Sequence, residues 1–358
     1  MKINNLKTYF YTYEGVVKAL EETSFDILKG ETFGLIGETG CGKSVTALSV
    51  MQLIPDPPGK IIKGEVLFKG EDLLKKSEEQ MRKVRGNDIS MIFQEPMTAL
   101  NPVYSVGDQI AEVILLHENF PEQNQKIPWY NLWKKHKIKK TIQMKAFEKA
   151  INALDLVKIS DPKKVAKQYP HELSGGMRQR AMIAMMLACN PDLLIADEPT
   201  TALDVTVQAQ ILDLMKELQQ RRGTAIWLIT HNLGIIAEMC NRVGVMYAGY
   251  IVEIGTTKKI FANPDHPYTR GLMRAIPKII EDRKRLDIIP GSVPNLIEPP
   301  LGCRFHPRCK YHTDICKECE PPLKEVEKNH HVACHHYETV KYSIVSREEN
   351  GKDYCKRN

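Results

Sequence analysis

Short, mostly apolar runs alternate along the chain with stretches of helical period. Thr32-Phe33-Gly34-Leu35-Ile36, Ile89 to Phe93, Leu193 to Ala196 and Ala225 to Ile229 have the length and composition of strands buried on both faces. Ser44 to Ile54 and Val205 to Gln220 carry helical periodicity, and Pro55-Asp56-Pro57-Pro58-Gly59 stops the first of them. Residues 1 to about 35 read as strands, with Lys18 to Ile27 loosely alternating and a turn at Lys29-Gly30-Glu31. Glu65 to Phe68 adds a strand, and Val106 to about Val157 is mostly helical in pattern. Strands alternating with helices predict an α/β fold around a mostly parallel sheet. After Ile260 the pattern changes: Pro264, Pro267, Pro277, Pro290, Pro294, Pro299 and Pro300 punctuate a segment leading into a Cys/His-rich stretch. A domain boundary is therefore predicted near residue 260, and the chain shows no internal repeat.

Composition changes this picture little. A chain of 358 residues suggests two domains with a core that needs no staples. Charged residues are 26% and hydrophobic ones 42%, an ordinary globular balance. The net charge of +6 reads as a solvated basic surface, with anionic lipid headgroups or nucleic acid as the sharper alternative. Lys134, Lys135, Lys137, Lys139, Lys140 and Lys145 follow Trp129, Tyr130 and Trp133, which suits an exposed helix or a surface near a membrane. No apolar run approaches the roughly 18 residues of a membrane helix; the longest, Ala181 to Cys189, falls well short. The first residues, Met1 to Lys7, have no apolar segment behind them as a signal peptide would. A cytosolic location is expected, so any membrane role needs another chain, and disulfides are disfavoured.

The candidate chemistry begins at Gly37-Glu38-Thr39-Gly40-Cys41-Gly42-Lys43-Ser44, a G-x-x-x-x-G-K-S phosphate loop between a predicted strand and helix. Its glycines allow backbone N–H groups to turn inward around phosphate oxygens at a helix N-terminus. Lys43 is expected to reach the β- and γ-phosphates and Ser44 to ligate Mg²⁺. Leu193-Leu194-Ile195-Ala196-Asp197-Glu198 is an apolar strand ending in two acids, where α/β folds bind ligands. Asp197 suits Mg²⁺, and Glu198 suits a general base toward water. A second Ser-Gly-Gly turn, in Leu173-Ser174-Gly175-Gly176-Met177-Arg178-Gln179-Arg180, opens another helix and suits a phosphate that this chain's own loop does not hold. Gln94 and His231 each close a strand; alone, either is an ordinary turn or structural residue.

In this order, with Thr201-Ala202-Leu203-Asp204, these segments resemble the ATP-binding subunit of ABC transporters over residues 1 to about 260. The resemblance implies a P-loop NTPase (ABC ATPase) core with a helical subdomain at about 95–180, plus a small C-terminal Cys-rich domain at 261–358. It implies that Gln94 contacts Mg²⁺ or water and senses a permease, and that His231 contacts the γ-phosphate. Asp204 would lie at a dimer interface. Ser174, Gly175 and Gly176 would bind ATP held by the opposite subunit, while Gly37 to Val45 hold this chain's own. Tyr13, with Tyr11 as runner-up, would stack on adenine, or else pack as a strand aromatic. Met177 departs from the usual Gln, and Val45 from a frequent Thr.

Gln94-Glu95-Pro96-Met97-Thr98-Ala99-Leu100-Asn101-Pro102, His266-Pro267-Tyr268-Thr269-Arg270-Gly271-Leu272, Gly291-Ser292-Val293-Pro294-Asn295-Leu296 and Gly302-Cys303-Arg304-Phe305-His306-Pro307-Arg308-Cys309 resemble the dipeptide/oligopeptide importer branch. This implies a second ATPase subunit (paralogue or self), two transmembrane permease subunits, an extracytoplasmic peptide-binding protein, and a peripheral place on the cytoplasmic membrane face. A nickel or other small-solute importer of the same branch is the alternative. A non-transport ABC ATPase acting on nucleic acid is less favoured, because no inserted coiled coil and no second fused core is present. Cys303, Cys309, Cys316 and Cys334 form C-x5-C-x6-C-x17-C, which in a reducing compartment argues for metal, either Zn²⁺ or an iron–sulfur cluster. The branch resemblance implies a [4Fe–4S] cluster on these four.

Overall fold

The computed structural model describes residues 1–93, 100–121, 132–200, 204–275 and 289–341, with the backbone alone at 132–136. Its strands in chain order are β1 (Lys2–Thr12), β2 (Gly15–Asp26), β3 (Thr32–Ile36), β4 (Gly59–Phe68), β5 (Glu71–Asp72), β6 (Ile89–Ile92), β7 (Leu193–Asp197), β8 (Ala225–Ile229), β9 (Arg242–Tyr247), β10 (Tyr250–Thr256), β11 (Lys324–Glu327) and β12 (His330–Val332). The predicted strands at 32–36 and 225–229 coincide with β3 and β8. The chain divides into two compact units, residues 1–75 with 228–358, and residues 76–227.

In the first unit β2, β1, β4 and β5 lie side by side as an antiparallel sheet. A second set runs in the order β11-β12-β10-β9-β3. The pair β3–β9 is parallel, with Phe33 opposite Arg242, as the alternating strands and helices predict. The pairs β9–β10, β10–β12 and β11–β12 are antiparallel, so this edge departs from the expected parallel sheet. The cause is a two-residue turn between β9 and β10. Ala248 (φ 47°) and Gly249 (φ 86°) both take left-handed conformations, the geometry that matches a hairpin's twist. Every residue of β3 is buried, so the strand that feeds the phosphate loop is fixed from both faces.

Thr256 closes β10 and caps the helix Thr257–Ala262, and β12 from the tail returns to pair with β10. The Cys-rich stretch accordingly groups with residues 1–75 and does not form a compact unit of its own. Glu253 of β10 is wholly buried and holds these parts together. Its carboxylate accepts the N–H groups of Asp265 (2.7 Å) and His266 (3.1 Å), and it bonds His330 Nε2 of β12 at 2.9 Å. Lys259 pairs with the buried Asp265 at 3.3 Å. A buried carboxylate is costly unless it is bonded, and three partners offset that cost here.

The second unit contains the parallel pair β6–β7 and the first residues of β8. Its helices include Val106–His117, Leu132–Leu156, Gly175–Leu187 and Val205–Arg222. Ile110 and Ile114 of one helix and Ala146, Ala150 and Leu154 of the next are buried, an i, i+4 stripe on each. The helical region predicted from 106 to 157 thus contains two separate helices among the described residues. The helix after the phosphate loop, Lys43–Val50, ends before the predicted Ile54, because Gln52 already adopts φ 49° ahead of the prolines.

His266 supplies a stability test. It is buried, and its Nδ1 accepts the N–H of Tyr268, capping the helix Pro267–Arg274. Burial without a compensating charge pushes its pKa from 6.5 to about 3. The unfolded chain takes up this proton below 6.5 and the folded chain does not. The stabilisation is therefore full above that pH and is lost as pH falls toward about 3. Asn caps equally well without titrating. Denaturant titrations should show that His266→Asn loses less stability than the wild type between neutral pH and pH 5, by about 2 kcal/mol. Equal losses in both would contradict the lowered pKa of His266.

Candidate functional site

The phosphate loop runs from β3 into the helix Lys43–Val50. Gly42 caps that helix at φ 105° with no side-chain cap, leaving first-turn N–H groups for a ligand. A Cβ on Gly42 would meet Leu20 Cδ2 at 2.8 Å and Ala19 O at 2.9 Å, and one on Gly37 would meet Met246 O at 2.2 Å. Glycine at both positions is thus required by backbone that lies against them. Lys43 is buried, and its ammonium donates to Gly37 O (2.9 Å) and Glu38 O (3.0 Å), so it spans the loop. Cys41 is buried, which raises its thiol pKa despite Lys43 nearby. Thr39 and Gly40 are exposed at the tip, and Ser44 and Val45 are half-buried at the helix start.

Two residues missed by the sequence reading fix this loop from beyond residue 260. The N–H of Glu38 donates to Tyr268 Oη at 2.9 Å, and Arg308 Nη1 donates to the Glu38 carboxylate at 3.0 and 3.2 Å. Tyr247, Tyr268 and Phe305 form an aromatic triangle, with ring centroids 4.6, 5.1 and 5.4 Å apart. Three residues of the segment Cys303–Cys309 are engaged in this way. Arg304 donates to Ala248 O at 2.6 Å and Lys18 O at 3.2 Å, Phe305 completes the triangle, and Arg308 reaches Glu38. In the other importer-like segment His266 caps, Tyr268 holds the loop and Arg270 donates to Val340 O at 2.9 Å. Tyr13 lies at the tip of the β1–β2 hairpin, fully exposed at 112%, so it is no strand-packing aromatic; Tyr11 is 51% exposed. His231 is exposed between β8 and a helix capped by Asn232.

In the second unit β7 is buried throughout and ends on Asp197, which is 3% exposed. Glu198 follows at φ 49°, a left-handed conformation that costs a non-glycine residue energy and recurs where a side chain must be aimed. Ser174 caps the helix Gly175–Leu187, accepting the Met177 N–H at 3.3 Å, and Asp204 caps Val205–Arg222, accepting the Val207 N–H at 2.9 Å. A Cβ on Gly176 would meet Val207 Cγ1 at 2.9 Å, so these two helix starts nearly touch. Gln179, 1% exposed, donates to Pro199 O, joining the Ser-Gly-Gly helix to the residue after Glu198. Sequence reasoning passed over Gln179 because an amide beside two arginines reads as surface. Gln94 lies outside the described residues, as do Glu95 to Ala99, Thr201 to Leu203, Trp129 and Tyr130.

The cysteine expectations gain less. Cys303, Cys309, Cys316 and Cys334 are all free thiols. Cys303 N donates to Cys316 O at 2.9 Å, and backbone N–H groups of Tyr311 and His336 point at the sulfurs of Cys309 and Cys334, each at 3.4 Å. Burial raises the pKa of Cys303 to about 11 and that of Cys334 to about 12. Among the described residues, no three His, Cys, Asp or Glu side chains are gathered closely enough to hold a metal ion. The geometry therefore offers no ready-made tetrahedral zinc site, and it does not itself support an iron–sulfur cluster.

A phosphate loop, an acidic strand end and a second Ser-Gly-Gly helix start on an α/β framework define a nucleoside-triphosphate-binding cassette. The sequence profile described as ABC transporter matches residues 20–201, and that described as oligopeptide/dipeptide transporter, C-terminal region, matches residues 252–316. The chain is 51% identical over 335 residues to a probable peptide ABC transporter ATP-binding protein of Sinorhizobium fredii, covering 93% of this chain and 94% of that protein. It is 47% identical to the dipeptide transport ATP-binding protein DppD of Bacillus subtilis, covering 93% of each. Among solved structures, the dimeric ATP-binding cassette MJ0796 bound to ADP and Pi shares the fold, with TM-score 0.58, 22% identity, and coverage of 72% of this chain and 98% of that one. The chain belongs to the ATP-hydrolysing subunits of the ABC transporter family and carries the C-terminal region of its oligopeptide/dipeptide branch.

Proposed function

We propose that this chain is the ATPase that powers import of di- or oligopeptides through separate membrane permease subunits. The observation that carries the reading is the uncapped helix N-terminus behind a glycine loop spanned by Lys43, together with Glu198 held in a left-handed conformation at the end of a buried strand. The profile at 252–316 and the names of the relatives favour peptide over nickel as cargo. No helix among the described residues is long and apolar enough to cross a membrane, which fits a subunit that works beside membrane-spanning partners.

ATP binds at Gly37 to Val45, with Lys43 on its β- and γ-phosphates and Tyr13 stacking on adenine. Glu198 takes the proton of the attacking water, and His231 holds that water against the γ-phosphate. Ser44, Asp197 and Gln94 are the hard oxygen donors for Mg²⁺, which neutralises phosphate charge when bound. Ser174, Gly175 and Gly176 serve the ATP of a second ATPase subunit, a paralogue or another copy, and Asp204 lies at that interface. A chain so engaged sits peripherally on the cytoplasmic face, fed by an extracytoplasmic peptide-binding protein. Residues 1–260 supply the nucleotide chemistry, and 261–358 brace the phosphate loop.

For Cys303, Cys309, Cys316 and Cys334 we propose a [4Fe–4S] cluster. What supports it is the spacing C-x5-C-x6-C-x17-C and four free thiols, since sulfur donors suit iron–sulfur chemistry. Chain purified anaerobically should carry iron and visible charge-transfer absorbance, both lost when Cys303 and Cys309 are changed to Ser. Colourless, iron-free protein would refute the assignment. For the ATPase, Glu198→Gln should bind MgATP yet release phosphate about 10²- to 10⁴-fold more slowly, the range of general-base catalysis. Unchanged turnover in that variant would remove Glu198 from the chemistry.

A further inference from the structure

Glu38 is an anomaly in a loop built for a polyanion. Its carboxylate stands in the phosphate loop, where a free negative charge opposes the triphosphate that the loop receives. Its peptide is gripped on both sides, the N–H by Tyr268 Oη at 2.9 Å and the carbonyl by Lys43 Nζ at 3.0 Å. Its carboxylate receives Arg308 Nη1 at 3.0 and 3.2 Å. The Arg308 side chain is 7% exposed and is held by further bonds. Arg308 Nε donates to Pro290 O at 2.8 Å, and Nη1 also reaches Tyr247 Oη at 3.3 Å. The group stands 5.7 Å from the Tyr247 ring centroid and 5.9 Å from that of Phe305. Planar, permanently charged and pre-oriented, it is suited to hold a carboxylate in one place.

We propose that Arg308 is a positioning residue for nucleotide binding: it neutralises Glu38 and, with Tyr268, sets the phosphate loop in its ATP-receiving shape from the C-terminal region. This rests on the reading of the loop as an ATP site and adds to it a charge partner carried 270 residues downstream. Arg308 is no catalytic residue: its bonds go to Glu38, to Tyr247 and to the Pro290 carbonyl, and it acts on the nucleotide only through Glu38. The consequence is specific. Removing Arg308 leaves an uncompensated carboxylate in the loop, and removing that carboxylate as well should restore affinity.

The test is equilibrium binding of a fluorescent ATP analogue with Mg²⁺ to the full chain, alongside melting curves of each variant. Arg308→Ala should weaken binding about tenfold, the size expected of one uncompensated charge in a partly screened site. The double variant Glu38→Gln/Arg308→Ala should bind more tightly than Arg308→Ala alone, although it lacks the same bonds to Pro290 and Tyr247. A merely structural Arg308 would show no such rescue. A double variant as weak as the single one, or an Arg308→Ala chain with wild-type affinity, overturns the proposal. Should Arg308→Ala not fold, Arg308→Gln with and without Glu38→Gln must show the same order. Wild-type chain that binds no analogue at all refutes the ATP-site reading itself, an outcome distinct from failed rescue.

Discussion

The buried carboxylate of Glu253 is the constraint from which the nucleotide end of the first unit follows. It sits in β10 with no exposure and must be satisfied by fixed donors. Two of these are the N–H groups of Asp265 and His266, which set where the helix Pro267–Arg274 begins. That start places Tyr268 so that its hydroxyl meets the Glu38 N–H in the phosphate loop. The remaining donor, His330, brings β12 of the tail onto β10. One ionisable group in the core therefore ties the hairpin β9–β10, the start of a helix and the C-terminal segment to the geometry of the loop.

The described residues of the C-terminal stretch group with residues 1–75. They pack an aromatic triangle against Tyr247 and return a strand to the sheet edge, and they fill the carbonyl acceptors of Lys18 and Ala248 with Arg304. The second unit has its own internal logic. Gly176 approaches Val207 closely, and Gln179 bonds to Pro199, so the Ser-Gly-Gly helix touches both the start of Val205–Arg222 and the residue beyond Glu198.

What was legible in the sequence is what chemistry restricts to few residue types. Gly37 to Ser44, Asp197, Glu198 and the Ser-Gly-Gly turn stand out because the phosphate binding and water activation proposed for them tolerate little else. The strands β3 and β8 stand out because burial on both faces demands unbroken apolar runs. The hairpin turn at Ala248-Gly249 escaped because Ala seldom adopts φ near 47°, so no turn residue announces it ahead of the glycine. Tyr268 and Arg308 escaped because their partner, Glu38, lies 230 and 270 residues away, and no local pattern encodes so distant a bond. The left-handed Glu198 was invisible for a further reason: strain is a property of the folded backbone and not of composition.

Lys43 bonds Gly37 and Glu38 across the loop and is the group proposed to meet the phosphates. Phosphate release from MgATP by Lys43→Ala, compared with the wild type at equal concentration and with melting curves to confirm folding, is the most direct measurement. Loss of about 10²-fold or more is expected when a preorganised charge partner of the transferring phosphoryl group is removed. Turnover within a few-fold of wild type would contradict the assignment of this loop as the site of ATP hydrolysis.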